Sequence, residues 1–452
     1  LGQGTLEGIE EGAWNEPPAS AAPQACRPER KGKKKGPKPL NPNLPRISEV
    51  VPDPDLQQLI CPVTGKLMRV GLVETIEVLS RVPAQYHVRS ISRNVYVSQA
   101  GEAPVYSPWP KDVLPRSRID TGVIARLLTG RFADHQPYHR QHGQLARFGV
   151  DLAPNTMVSL VKQACEKLYP LYRHLIKQVL ASGYIQLDPT PIPMISEKKS
   201  GSVKQACMWT YRALDGPVFF EFNQTKIGTT PAKTLDKYKG LLQTDGATNF
   251  GGRPDKPDIT HLACWAHSRR YFVRAAEAGE ARADAYLDRI DRLFYFERLA
   301  RRWRIKSETL RRLRQRHSLP IIEKLFEMAR DYVADELLLK TPMPQAVKYL
   351  LGHEKSLHEC FAHIPSRIDN NLAENALRPL KLGAKNWLFL GHPDAGPQAA
   401  IMFTLVENCR QAEINPEAYF ADVLARIDDH PASRIEEFIP QNRVAQNHPA
   451  EK

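Results

Sequence analysis

Three acids stand where carboxylates can do chemistry. Asp188 sits in "IQLDPT", Asp245 in "LLQTDG" and Glu374 in "RIDNNLAENALRPL". The first two close short apolar stretches, and the third lies in a segment with helical spacing. Carboxylates at the ends of neighbouring strands are well placed to converge in the crevice at a sheet's edge. Three of them with open positions make a hard, oxygen-only site suited to magnesium or manganese. Two ions in such a site run phosphoryl transfer, one activating the attacking oxygen and the other stabilising the leaving oxygen. Each acid also has a plainer reading. Asp245 before Gly246 is a turn pair. Asp188 before Pro189 is a strand terminator, and Glu374, three residues after Asn371, completes a capping pair. Asp188 and Asp245 lie 57 residues apart, but Glu374 follows only after another 129, a gap that demands an inserted domain.

The elements that must position these acids can be read from pattern. "YIQLDPTPIPMI" opens with strand alternation and stops at proline, so the first acid is expected at a strand end. "ACMWTYRAL" and "PVFFEFNQTK" flank Asp215-Gly216, which is a strong hairpin signal. A helical segment near 230–239 leads to the short strand "GLLQTDG", and "THLACWAHSRRYFVRAA" is an apolar run passing into a helix. Strand, hairpin, helix, strand and helix predict a mixed α/β sheet with a helical cover over 182–274. Residues 275–360 are helical throughout and supply the insertion. The region 361–412 returns to the core, and 413–452 holds a last helix and tail.

Ahead of the core, 111–181 is helical. A hairpin around Gly149 and "VDLAP" has Asn155 or Thr156 as its expected N-cap, and it fits either a helix-turn-helix or a plain packing unit. Residues 51–110 form a small β-rich module. Residues 1–50 are rich in Pro, Gly and charge and are expected to be disordered, as a solvated linker or a sequence-blind DNA-contacting arm.

The chain has 452 residues and a formal net charge of +13, which suits a polyanionic partner, nucleic acid first and a membrane surface second. Positions 298–316 alone hold nine Lys or Arg, fitting a solvated face or a phosphate-contacting one. No apolar run approaches a membrane span, and there is no secretory leader pattern. Seven scattered cysteines without a CxxC pair favour reduced thiols and a cytoplasmic setting over a disulfide framework.

"LDPT", "LLQTDG", "CWAHSRRYF", "IDNNLAENALRPLKLGAKNWLF" and "INPEAYFADVLARI", in this order, resemble the transposases of the insertion sequence 66 family over roughly residues 38 to 440. The resemblance implies a DDE transposase with an RNase H-like core and a helical insertion between the second Asp and the Glu. It puts the catalytic and metal-binding triad on Asp188, Asp245 and Glu374, loaded with two Mg2+ or Mn2+ ions. The implied reaction frees a 3′-hydroxyl at the transposon end and attacks target DNA with it. The implied partners are DNA (transposon ends and target) and further copies of the chain, with no membrane. Lys385, Arg378, Arg269 and Arg270 are candidate DNA-phosphate contacts or ordinary salt-bridge partners. His267 is either near the site or a core histidine, and Trp265 and Trp387 read as core.

The sequence departs from the family pattern at four places. Pro189 follows the first Asp where Glu is usual. Asn375 follows the Glu, and Ala384 precedes "KNW", where Arg is usual. Only Cys61 remains of the family's two cysteine pairs, so no zinc is expected. These departures leave room for a DNA-binding remnant without catalysis, or for another RNase H-like nuclease.

Overall fold

The computed structural model describes residues 119–196, 202–225, 229–246, 257–305, 307–335, 341–364 and 366–447, with residue 66 and short pieces between 86 and 106. The chain separates into two units, Leu1–Gln85 and Tyr86–Lys452, and every element below belongs to the second. The basic arm and Cys61 lie outside the described residues. Of the β-rich module, the described strands are β1 (Val95–Tyr96) and β2 (Val105–Tyr106), an antiparallel pair.

Three helices precede the main sheet: α1 (Thr121–Phe132), α2 (Tyr138–Ala146) and α3 (Pro154–Leu180). Asp120 caps α1 by accepting from the Val123 N–H at 2.9 Å. The expected cap of α3 at Asn155 or Thr156 is corrected to Ala153, because Pro154 takes the first helical position, where its missing N–H costs nothing. Met157, Leu160, Val161, Ala164, Cys165, Leu168, Leu171, Leu175 and Val179 run the 27-residue length of α3 on one buried stripe. That periodicity makes α3 a core helix.

The main sheet has five strands in the order β5-β4-β3-β6-β7. β3 (Tyr184–Ile195), β4 (Val203–Ala213) and β5 (Val218–Asn223) form an antiparallel meander. β6 (Gly240–Gln243), reached through α4 (Thr229–Thr234), and β7 (Ile259–Leu262) add parallel to β3. The hairpin expected at Asp215-Gly216 joins β4 to β5.

One sequence expectation fails in an informative way. β3 does not stop at Pro189 but runs to Ile195 through Pro189, Pro191 and Pro193. β6 pairs only with Tyr184–Gln186, so beyond that point the side of β3 away from β4 is met only by an isolated bridge from Leu390 to Met194. Prolines at every second position can then lie with their missing donors toward the open side. Asp188 therefore sits inside a strand, at the point where its parallel neighbour ends.

Gly240 opens β6 with φ +136, and a Cβ there would stand 2.3 Å from the Gly183 carbonyl oxygen. Backbone cannot yield as a side chain does. Gly240→Ala should therefore cost on the order of 2–4 kcal/mol in denaturant unfolding, combining overpacking with a disfavoured φ.

The chain continues into α5 (Trp265–Glu277) and then the helical block of α6 (Arg282–Arg302), α7 (Ser307–Leu313), α8 (Leu319–Asp335), α9 (Pro342–Gly352) and α10 (Glu354–Ala362). A π turn, Arg314–Ser318, joins α7 to α8. One member of the arginine-rich run faces inward here. Arg314 is 1% exposed and clasps the buried Glu297 carboxylate with bonds of 2.8 and 3.0 Å.

After the block come α11 (Asn371–Trp387), α12 (Ala395–Gln411), α13 (Pro416–Arg426) and α14 (Pro440–Asn447). α12 is buried along most of its length. Its Thr404 and Asn408 accept from the N–H groups of Phe220 and Val218 at 2.9 and 3.3 Å, so side chains close the outer edge of β5.

Candidate active site

Parallel pairing brings together the two segments that carry the first two acids. Gln186 of β3 stands in register with Gln243, the last residue of β6, and an Asp follows each two residues later: Asp188 still within β3, Asp245 just past the end of β6. Both glutamines are fully buried and bonded to each other, Gln186 Nε2 donating to Gln243 Oε1 at 2.8 Å. The Tyr184 hydroxyl also donates to that oxygen. Gln243 Nε2 donates to the carbonyls of Ala263 and Arg367 at 3.0 and 2.9 Å. Gln186 Nε2 donates to the Asp369 carbonyl at 2.7 Å. A buried amide network thus ties the strands bearing Asp188 and Asp245 to the segment that leads into α11.

The same network caps α11. Gln186 Oε1 accepts from the N–H groups of Leu372 and Ala373 at 3.1 and 3.3 Å, and Asp369 Oδ1 accepts from Asn371 at 3.2 Å. Asn370, wholly buried, donates its side chain to the Leu187 carbonyl at 3.2 Å. The orphan donors of the first turn are therefore satisfied from β3 and the preceding segment. Glu374 is not used as a cap. Its carboxylate oxygens stand 3.7 Å from His267 Nε2 and 3.6 Å from Arg270 Nη2, both on α5.

Electrostatics show that the three acids share one neighbourhood. The Asp188 carboxyl, 8% exposed, is pushed up to about 7, first by burial and then by the charges of Asp245 and Glu374, with Lys381 and Arg270 opposing. His267 is pushed down by burial and by Arg270, against the pull of Glu374 and Asp245. Glu374 Oε1 is buried without a hydrogen-bond partner. In this arrangement no group of three or more His, Cys, Asp or Glu side chains among the described residues is close enough together to hold a metal ion.

The basic candidates divide. Arg270 belongs to the cluster, donating toward His267 at 3.1 Å as well as pairing with Glu374. Arg269 turns to Asp291 of α6 with bonds of 2.6 and 3.2 Å. Arg378 and Lys385 are exposed on α11, one and three turns beyond Glu374 on the same face. Lys381 completes that stripe and is the one whose charge reaches Asp188. Its spacing of seven from Glu374 was the available signal. His267 lies at the site rather than in the core, and Trp265 and Trp387 are buried.

The insertion supplies a further support. The Tyr349 hydroxyl of α9 donates to the Asp245 carbonyl at 2.6 Å, and its ring stacks on Tyr271 with centroids 4.8 Å apart. His353 Nε2 stands 2.7 Å from the Gly246 carbonyl oxygen. Gly246 has φ +84, and a Cβ there would meet both His353 and Tyr349 within 2.8 Å.

The family model described as "Transposase IS66 family" matches residues 116–398, which include all three acids and the whole helical block. The chain belongs to the IS66 transposase family. A second model, the IS66 C-terminal element, matches residues 404–441, from within α12 to the start of α14. Two uncharacterized proteins of Sinorhizobium fredii are similar to this IS66-family chain. One, y4hP, is 28% identical over 401 residues, covering 83% of this chain and 71% of its own. The other, y4jD, is 25% identical over 418 residues, covering 88% and 80%. Membership implies a role in transposition and hence DNA as a partner. Among the described residues no helix is long and apolar enough to cross a membrane.

Proposed function

We propose that this chain cleaves and transfers DNA strands during movement of an insertion sequence, with Asp188, Asp245 and Glu374 holding two Mg2+ or Mn2+ ions on an RNase H-like core. The observation that carries this reading is the crowding of three carboxylates: Asp188 is buried, and its carboxyl is pushed up to about 7 first by that burial and then by the charges of Asp245 and Glu374. Excess negative charge of this kind calls for cations. The sheet order, an antiparallel meander extended by two parallel strands, supports the core assignment.

The donor set fits a hard divalent ion: oxygens only, one of them a buried Glu374 Oε1 that accepts no hydrogen bond. Closing it requires Glu374 to leave Arg270, a pair half-exposed on the arginine side and so worth about 1 kcal/mol or less. Once bound, the ions would activate the attacking oxygen and stabilise the leaving one. The chain's own contribution is positioning. Gln186 and Gln243 fix the two strands, and α11 presents Glu374 from a capped first turn. Arg270 and Lys381 offset phosphate charge beside the carboxylates.

The test is strand transfer on labelled transposon-end DNA. Product that requires Mg2+ or Mn2+ and disappears with Glu374→Gln is expected. Salt-sensitive DNA binding without any metal-dependent product would overturn the catalytic reading and favour a binding remnant. Tyr349→Phe removes one hydrogen bond, so stability should fall by only about 1 kcal/mol. Strand transfer should fall by roughly tenfold or more, because Asp245 loses its tether. Unchanged strand transfer would show that the tether does not matter.

A further inference from the structure

The carboxylate cluster leaves one strongly charged surface unused, the corner where α6 ends. Arg298, Arg301, Arg302 and Arg304 are exposed there. Arg316, also exposed, lies on the π turn, which is held beside α6 by His317 stacking on Phe296 at 5.0 Å. Arg311 and Arg312 share Glu308 at 3.0 and 3.4 Å, but the other five have no ion-pair partner among the described residues. In their midst Trp303 is 73% exposed, and Tyr295, two turns earlier on α6, is 50% exposed.

The backbone holds the corner in shape. Ile305 N–H donates to the Ala300 carbonyl at 3.0 Å and Arg304 N–H to Arg301 at 3.2 Å, a helix-terminating motif with Arg304 at φ 48. Glycine is the low-strain residue at that position, yet an arginine stands there.

An indole left in water among unpaired cations is poorly suited to an apolar protein partner or a membrane, which need a continuous apolar patch. Intact duplex offers phosphates but no base face. A strand with unpaired bases offers both, an aromatic face for the indole and phosphates for the arginines. We propose that this corner binds an unpaired stretch of the DNA substrate, Trp303 stacking on a base while Arg301, Arg302 and Arg304 hold the flanking phosphates. This rests on the DNA reading of the preceding section and adds to it a single-strand contact outside the carboxylate site.

The test uses the full chain in EDTA, with fluorescence anisotropy on a blunt labelled duplex and on the same duplex carrying an unpaired tail of about six nucleotides. Wild type should prefer the tailed DNA. Trp303→Ala should weaken tailed binding by roughly tenfold and blunt binding by less than about twofold, while Trp303→Phe keeps most of the preference. The Arg301→Gln, Arg302→Gln double variant should weaken both and lower the salt slope by about two. The proposal is overturned if wild type shows no tail preference, or if Trp303→Ala and Trp303→Phe both leave that preference intact. Equal losses on both DNAs in the two Trp303 variants, or loss of self-association alone, would overturn it too. Because no divalent ion is present, these outcomes are independent of the strand-transfer assay. A catalytically dead chain with an intact tail preference would sink only the catalytic reading.

Discussion

Asp188→Asn should abolish metal-dependent strand transfer and, at the same time, raise the melting temperature of the metal-free protein at pH 8. The two effects have one cause. Asp188 is buried beside Asp245 and Glu374, and its charged form is disfavoured until a cation arrives. The folded protein holds the Asp188 proton up to about pH 7, whereas the unfolded chain releases it near the ordinary aspartate value of about 4. The stability this proton contributes is full below the unfolded value and is lost as pH rises through about 7. Asn keeps the shape without the charge, so the loss is avoided and a gain of about 2–5 °C is expected at pH 8. Strand transfer should drop by about 10³-fold or more, equivalent to about 4 kcal/mol of transition-state stabilisation. His267 works in the opposite direction, being pushed down, so its contribution is lost as pH falls through its lowered value. Subtracting the variant's pH–stability curve from that of wild type isolates Asp188. Mg2+ should stabilise wild type more at pH 8 than at pH 5.5. An Asp188→Asn protein no more stable than wild type at pH 8 would show that neither burial nor the neighbouring carboxylates disfavour the Asp188 charge.

Arg314→Met should be among the most destabilising single changes in the helical block. Arg314 and Glu297 are 1% and 4% exposed and joined by two charge-assisted bonds. The guanidinium also donates to the carbonyls of His363 and Ser366 at 2.9 and 2.8 Å. Removing it strands a buried carboxylate, and a loss of about 3–5 kcal/mol is expected in urea unfolding. Exchanging both partners for apolar residues of similar volume should restore much of that, since no charge is then left unpaired. Arg314→Lys should restore little, because an ammonium cannot reproduce the fork that meets Glu297 and two carbonyls together. A cost under about 1 kcal/mol for Arg314→Met would place the pair among weak surface bridges. The contact also joins the block to His363 and Ser366, just ahead of Asp369 and α11, so activity should fall with stability.

The sheet was legible because its strands alternate and its hairpin carries Asp215-Gly216. The place of Asp188 was misread, since proline ordinarily ends a strand, and nothing local says that β6 stops early enough to leave an open side. The capping question at Glu374 was undecidable from its neighbours. The residue that settles it, Gln186, lies 186 positions from Leu372, and a single glutamine carries no pattern. Tyr349 was hidden for the same reason. Its partner is a backbone carbonyl 104 residues away. Arg314 looked like its neighbours because charge is visible in a sequence and burial is not. Lys381 alone was within reach of the sequence, since it stands at helical spacing from Glu374, Arg378 and Lys385.

The bonds from Gln186 to Asp369, Leu372 and Ala373 span 183 to 187 residues. During translation, the strands bearing the first two acids leave the ribosome long before the helix bearing the third. A nascent chain that stops short of Asp369 therefore carries two of the three acids, with Gln186 still lacking the Asp369 carbonyl and the Leu372 and Ala373 N–H groups. The third acid and the N–H groups that Gln186 caps arrive together, after the whole helical block has emerged.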